Sequence, residues 1–249
     1  MRPADRIFQS FDRIYVINLP RRDDRRREMA AELARIGTSF DDPRISLFPA
    51  IRPEDAGPFR TVGARGAFLS QLAVLADARA LGCERILMFE DDLDFVPGFA
   101  HAIGRALDML DQLDFDLFYG GYQFPDGPGQ IDAAATPLAL AEVDCPIRLA
   151  HFMGFARTAI DALVPYLEAM LGRAAGDPDG GPMDVDGAYC WFRAAHPQFT
   201  TWLAQPQLGV QRPSRTDIST PGMLDLLPIG EPLRRALRGA RRIWKRRHA

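Results

Sequence analysis

The sequence predicts an α/β fold, a mostly parallel sheet flanked by helices, in a single domain over residues 1–232. Three observations predict it. Residues 13–19 and 85–89 are nearly unbroken apolar runs, the pattern of strands buried on both faces. Helical periodicity follows the first of them and precedes the second. Strand and helix signals then alternate through residue 120, the order of a parallel sheet with crossover helices. At 249 residues, 47% apolar and 25% charged, the chain has an ordinary globular composition. It carries no internal repeat and no convincing domain linker.

Each element has its own signal. Pro20 ends the first strand, and Asp23 or Asp24 caps a helix whose apolar residues Met29, Leu33 and Ile36 recur at i, i+4, i+7 until Gly37 stops it. A short strand over residues 45–51 leads into a Pro- and Gly-bearing loop. Phe68, Leu72, Leu75 and Ala76 then mark a helix closed by Gly82, and the strand over 85–89 follows. Pro97 opens another helix with Ile103, Leu107 and Leu110 on one face, and residues 115–119 form a strand ended by Gly120-Gly121. Beyond it, residues 138–157 read as two strands, 158–171 as a helix and 172–182 as a loop rich in Gly, Pro and Asp. Asp184 and Asp186 introduce a further helix through Ala195, and a last strand lies around residues 199–204 before an irregular stretch to Pro232.

The most informative residues are Glu90-Asp91-Asp92, directly after an apolar strand. Ligands of open α/β sheets bind at the C-terminal ends of the strands, and adjacent carboxylates there suit a hard divalent cation that carries a nucleotide diphosphate. Glu90 and Asp92 share one side of an extended segment and Asp91 takes the other. The competing reading is a polar loop capping the next helix. Asn18 and the arginines from Arg21 to Arg25 lie where the first strand gives way to a helix, a place where N–H groups and guanidinium forks favour a phosphate; the alternative is a solvated helix face. Asp184 and Asp186 repeat the i, i+2 spacing after a glycine loop, as a general base toward an acceptor hydroxyl or as a helix N-cap. Of the four histidines, His151 on a strand is the candidate metal ligand.

Other classes are disfavoured. Cys83, Cys145 and Cys190 are widely spaced and form neither a disulfide framework nor a zinc pattern. The start Met1-Arg2-Pro3-Ala4-Asp5 lacks the apolar core of a signal peptide and no apolar run approaches about eighteen residues, so a cytoplasmic protein is expected. The net charge of −3 hides an asymmetry: residues 234–249 hold eight basic side chains and no acid, which leaves 22 basic against 33 acidic residues in the rest. So acidic a body argues against nucleic acid as a partner. From Leu233, Ala236, Leu237, Ala240 and Trp244 recur at helical spacing among the arginines. Residues 233–249 are therefore expected to form a basic amphipathic tail that lies on an anionic membrane surface; the alternative is a solvated tail weakened by Gly239.

Taken together, FDRIYVINLPRRDDRR, GARGAFLSQLAVLADARALGCERILMFEDDLDF, MDVDGAY and QRPSRTDI resemble glycosyltransferase family 25, the lipopolysaccharide-biosynthesis group, over most of residues 11–218. The resemblance implies a GT-A fold, a nucleotide-sugar donor that is usually a UDP-hexose, and Mn²⁺ or Mg²⁺ held by Asp-x-Asp-like acids. It implies an inverting galactosyl- or glucosyltransferase acting on lipo-oligosaccharide, another surface glycan or a lipid-linked saccharide, at the cytoplasmic face of the inner membrane. Carried over by residue, Asp92 binds the metal, and Glu90 faces the donor ribose or the metal shell, with Asp91 beside it in the donor site. Asn18, Arg21 and Arg25 lie near the donor, and Gln211, Ser214 and Asp217 match the C-terminal signature. Asp186, or Asp184, matches the position of the catalytic base.

Two departures bear on this: the segment before Asp184 is unusually rich in glycine and proline, which implies an acceptor unlike that of better-known members, and the other departure is at Gln71. The family commonly has Gly-Cys-x-x-Ser-His, where this chain has Gly66-Ala67-Phe68-Leu69-Ser70-Gln71. Gln71 hydrogen-bonds but does not ionise, so any proton transfer by that histidine is absent. This departure favours the alternative function, a non-catalytic glycan- or nucleotide-binding protein that keeps the fold.

Overall fold

Side chains that alternate between two apolar layers set the architecture of the computed structural model, which describes residues 1–125 and 136–212. Helix α1 (Pro3–Ser10) precedes β1 (Arg13–Asn18), α2 (Asp23–Arg35), β2 (Ile45–Pro49), α3 (Val62–Ala80) and β3 (Arg85–Glu90). Then come β4 (Leu93–Phe95), α4 (Phe99–Leu110), β5 (Leu117–Gln123), β6 (Leu138–Leu140), β7 (Arg148–Ala156), α5 (Arg157–Leu171), α6 (Val185–Ala195), β8 (Thr201–Ala204) and β9 (Gly209–Gln211). In β1, Tyr15 and Ile17 pack toward α3, α5 and α6, while Ile14 and Val16 pack toward α1, α2 and α4. The residues of β3 alternate the same way, Ile86 and Met88 against Leu87 and Phe89. Two apolar cores thus sandwich one sheet between two helical layers.

The sheet has seven strands in the order β2-β1-β3-β7-β5-β8-β6. Pairings β1–β2, β1–β3 and β5–β8 are parallel, β7 runs antiparallel to both β3 and β5, and β6 runs antiparallel to β8, so five of the seven strands share one direction. The mostly parallel α/β sheet read from the sequence is the sheet observed. A second sheet pairs β4 with β9.

Several boundaries differ from the sequence expectation. Helix α1 is absent from that expectation, although Pro3 sits in its first turn and Ile7 is fully buried. Arg22, not Asp23 or Asp24, occupies the N-cap of α2, and both acids lie in the first turn, where they meet the positive end of the helix dipole. Strand β2 ends at Pro49, short of Ile51. Gly120-Gly121 does not end β5, which runs on to Gln123. A Cβ at Gly120 would stand 2.6 Å from the Phe152 ring, and one at Gly121 would collide with His151 Nε2, so these glycines serve close packing within the sheet. The short strands β4 and β9 are also unanticipated, because a three-residue strand leaves no period to read. The amphipathic tail over residues 233–249, Ser214 and Asp217 lie outside the described residues. No helix among the described residues is long and apolar enough to cross a membrane.

Candidate active site

Strand register brings the predicted residues of β1 and β3 to one edge, whereas His151, Asp184, Asp186 and Gln211 are not among the residues that line the cleft there. Asn18 pairs with Pro49 and Ile17 with Glu90, so the C-terminal ends of β1, β2 and β3 lie side by side. A cleft of about 160 Å³ opens over this edge, lined by Leu19 and Arg21 from the β1–α2 turn, Arg25 from the start of α2, Ile51 and Arg52 after β2, the first turns of α3, and Glu90, Asp91 and Asp92. This is the position at which open α/β sheets bind ligands.

Local chemistry fixes each wall. Thr61 caps α3, its side chain accepting from the Ala64 N–H at 3.0 Å. Along the helix, Ser70 Oγ donates to the Gly66 carbonyl at 2.6 Å and accepts the Ile51 N–H at 2.8 Å. Gly66 lets the chain come close: a Cβ there would meet the Ile51 carbonyl at 2.7 Å. The segment after β2 is therefore clamped to α3 at Gly66 and Ser70.

The three acids divide their work. Asp91, only 5% exposed, accepts from Asn18 Nδ2 at 2.7 Å and from Arg25 NH1 at 2.7 Å, one donor for each oxygen. These three residues tie β1, α2 and the end of β3 together, a structural role that the sequence reading of them as donor contacts did not contain. Asp92, 3% exposed, accepts from Gln211 Nε2 at 3.3 Å on Oδ2, with Arg25 NH1 3.6 Å from the same oxygen. Its other oxygen, Oδ1, is buried with no protein donor. Glu90 accepts from Gln71 Nε2 at 2.9 Å, and Gln71 Oε1 in turn accepts the Tyr189 hydroxyl at 2.8 Å. Burial pushes the Glu90 carboxyl well above the usual carboxylate range, and the neighbouring charges of Asp92 and Asp91 add to it. Asp92 is also pushed up, chiefly by burial, with Arg25 opposing.

A buried carboxylate oxygen without a donor, beside a second carboxyl whose ionisation is disfavoured first by burial and then by the neighbouring acids, is a set of hard oxygen donors that a divalent cation would satisfy. Glu90 and Asp92 fit Mn²⁺ or Mg²⁺ of the kind held by one or two carboxylates and substrate phosphates. The expected third ligand is not gathered with them. Among the described residues, no group of three His, Cys, Asp or Glu side chains is arranged to hold a metal. His151, 1% exposed, has Nε2 3.5 Å from the Gly209 carbonyl in the narrow space that Gly121 leaves open. Burial lowers its pKa to about 4, so the ring is neutral near pH 7.

The two later acids also differ. Asp186 accepts the Leu149 N–H at 3.1 Å and the Gly187 N–H at 2.8 Å, one on each oxygen. Leu149 has φ +72°, the left-handed region that a leucine seldom adopts, and Asp186 holds it there. Asp184 sits at the N-cap position of α6 without making a side-chain cap. Its Oδ2 pairs with Arg60 NH2 at 2.9 Å and its Oδ1 has no partner.

A network that sequence reasoning did not resolve locks the acid turn from below. Arg212 donates to Asp94 Oδ1 from Nε at 2.9 Å and from NH2 at 2.7 Å, and to Glu28 Oε2 at 2.6 Å. Its backbone N–H donates to the Asp92 carbonyl at 2.6 Å. Asp94 is 0% exposed, so this charge is wholly sequestered. The only sequence signal is an arginine inside the QRPSRTDI stretch.

No family model matches the chain. Human inactive glycosyltransferase 25 family member 3 is 31% identical over 129 residues, covering 45% of this chain and 22% of that protein. Human procollagen galactosyltransferase 2 is 31% identical over 129 residues, covering 45% and 21%. A glycosyltransferase 25 family member of Aedes aegypti is 29% identical over 130 residues, covering 43% and 21%. The chain thus spans about a fifth of the length of these relatives. A crystal structure of mannose-1-phosphate geranyltransferase from Thermus thermophilus aligns at 13% identity over 76% of this chain and 58% of that one, with a TM-score of 0.34, too loose a likeness to carry weight. Through the shared segment, the chain is a sequence relative of glycosyltransferase family 25.

Proposed function

We propose that the protein transfers a hexose, galactose or glucose, from a nucleotide diphosphate sugar, UDP-linked, to a hydroxyl of lipo-oligosaccharide or another surface glycan. The observation that carries this reading is the acid-tipped β3, with Glu90 and Asp92 at the floor of a cleft bordered by Arg21 and Arg52. Transfer requires a diphosphate leaving group to be stabilised while a weak nucleophile is activated. Mn²⁺ or Mg²⁺ held by Asp92 and Glu90 would supply positive charge to the diphosphate. Arg21 and Arg52 border the same cleft and add to that field. Asp184 is the better base of the two late acids, because Asp186 has each oxygen engaged by a backbone N–H. It would take the acceptor proton as the hydroxyl attacks the face opposite the leaving group, with inversion.

Screening nucleotide sugars for UDP, GDP or CMP release with Mn²⁺ tests this. Slow metal-dependent UDP release without acceptor is expected. A folded protein that binds UDP yet hydrolyses no donor and transfers no sugar supports the second reading, a non-catalytic nucleotide- or glycan-binding protein. Two observations favour that alternative: Gln71 stands where the family commonly has histidine, and some relatives bear the name inactive. We also propose that residues 233–249 hold the protein on anionic lipid near a lipid-linked acceptor, at the cytoplasmic face of the inner membrane. Deleting them should reduce binding to vesicles containing phosphatidylglycerol, and unchanged partitioning refutes the idea.

A further inference from the structure

Gln71 and Tyr189 lie outside the set of donor contacts and catalytic acids, yet they connect that set. Both are fully buried, Gln71 on α3 and Tyr189 on α6, the helix that Asp184 introduces. Their bonds run in one direction. The Tyr189 hydroxyl donates to Gln71 Oε1 at 2.8 Å, and Gln71 Nε2 donates to Glu90 Oε1 at 2.9 Å. An amide has a donor end and an acceptor end, and a carboxylate that has given up its proton to hold a cation only accepts. With the phenol fixing the oxygen end, the NH₂ end is committed to Glu90.

We propose that Gln71 is a positioning residue that orients Glu90 for a divalent cation, and that Tyr189 acts through it, so that the helix introduced by Asp184 sets the geometry of the metal-holding acid on β3. The proposal rests on the functional reading above. Outer partners that orient a metal-holding carboxylate typically change metal affinity by about 10- to 100-fold when removed. An indirect partner gives less, about 2- to 10-fold, the range of one hydrogen bond. Among the described residues, the hydrogen-bonded path from Tyr189 to the Glu90 carboxylate runs across the Gln71 amide.

The test is Mn²⁺ titration of the full chain in the presence of UDP, read by the electron paramagnetic resonance signal of free Mn²⁺, with UDP affinity in EDTA as the control. Gln71→Leu should weaken Mn²⁺ binding about 10- to 100-fold and Tyr189→Phe about 2- to 10-fold. The double variant should bind no more weakly than Q71L, because the hydrogen-bonded path from the phenol to Glu90 runs through the amide. Gln71→His, whose imidazole again offers one donor and one acceptor, should restore Mn²⁺ affinity toward the wild-type value. UDP affinity without metal should be the same in all variants. Y189F removes a single hydroxyl from a packed ring and carries the decision alone if Q71L does not fold. Mn²⁺ affinity in Y189F equal to wild type, or additive losses in the double variant, overturns the relay while leaving the functional reading intact. A wild-type protein that binds UDP but no Mn²⁺ overturns both.

Discussion

Asp92 Oδ1 is held out of water with no donor, and so buried an acceptor is tolerated only where something else compensates it. Asp92→Asn keeps the shape and removes the charge. Metal-dependent donor cleavage should fall by at least about 100-fold, and the thermal midpoint should hold or rise, because a desolvated carboxylate is replaced by a neutral group. Turnover that survives in a folded D92N protein eliminates Asp92 as the metal residue. The burial of Glu90 carries a pH signature. Its folded-state pKa is raised, so between the ordinary carboxylate range and that raised value the native state holds a proton that the unfolded chain has lost, and stability falls as pH rises. On the proposed function, Mg²⁺ held by Glu90 would displace the same proton, so its stabilisation should grow with pH. Melting curves from about pH 5 to about pH 8 with and without Mg²⁺ measure both slopes, and a cation effect independent of pH contradicts the argument. For the late acids, Asp184→Asn should lower kcat by about 100- to 10,000-fold with little change in melting. Asp186→Ala should instead cost about 1–3 kcal/mol of stability by leaving the Leu149 N–H without its acceptor. The sequence pairs these acids by spacing and does not separate them, because what separates them is the backbone of a segment 37 residues away in the chain.

Elements were legible where a period or a long apolar run announced them. The strand at 13–19, the strand at 85–89 and the helices carrying Met29, Leu33, Ile103 and Leu107 all lie where the sequence puts them, because both faces of the sheet must be covered. Glycine was read as punctuation, which holds at Gly37 and Gly82, each at positive φ just past a helix, and fails inside the elements. Gly120 and Gly121 lie inside β5, and Gly66 lies inside α3, each because another part of the chain approaches where a side chain would be. Gly121→Ala puts a methyl into His151 and the Gly209 carbonyl, backbone that cannot give way without moving β9. A loss of about 1–3 kcal/mol is expected, the usual cost of overpacking, together with weaker Mn²⁺ binding, since Gln211 on β9 donates to Asp92. Chemical denaturation and the Mn²⁺ titration test the two parts separately. An alanine variant as stable as wild type shows that the close approach is not tight.

At the scale of the whole molecule, the acid turn beside the cleft is held by residues as far apart as Asn18 and Arg212. The sequence located the acid turn and the β1–α2 turn, since each is a local pattern at a strand end, but long-range partners leave no local mark. Arg212 shows this most clearly. It spans α2, β4 and the acid turn, and its guanidinium, with two donors on one oxygen, compensates the fully buried charge of Asp94. Removing one member of a buried pair costs about 3–5 kcal/mol, whereas replacing both members by apolar groups of similar volume is often neutral. Arg212→Met should therefore lower the melting temperature by roughly 6–20 °C, taking about 2–4 °C per kcal/mol for a chain of this size. Adding Asp94→Leu to R212M should recover much of that loss although it removes a second native side chain. The order of melting temperatures, wild type and the double variant above R212M, is the signature of a paired charge. If the double variant melts below R212M, the network stabilises through its hydrogen bonds to Glu28 and the Leu93 carbonyl rather than through compensation of Asp94. Mn²⁺ affinity should fall in both variants, because the backbone N–H of residue 212 and the amide of Gln211 place the Asp92 turn from the same strand end.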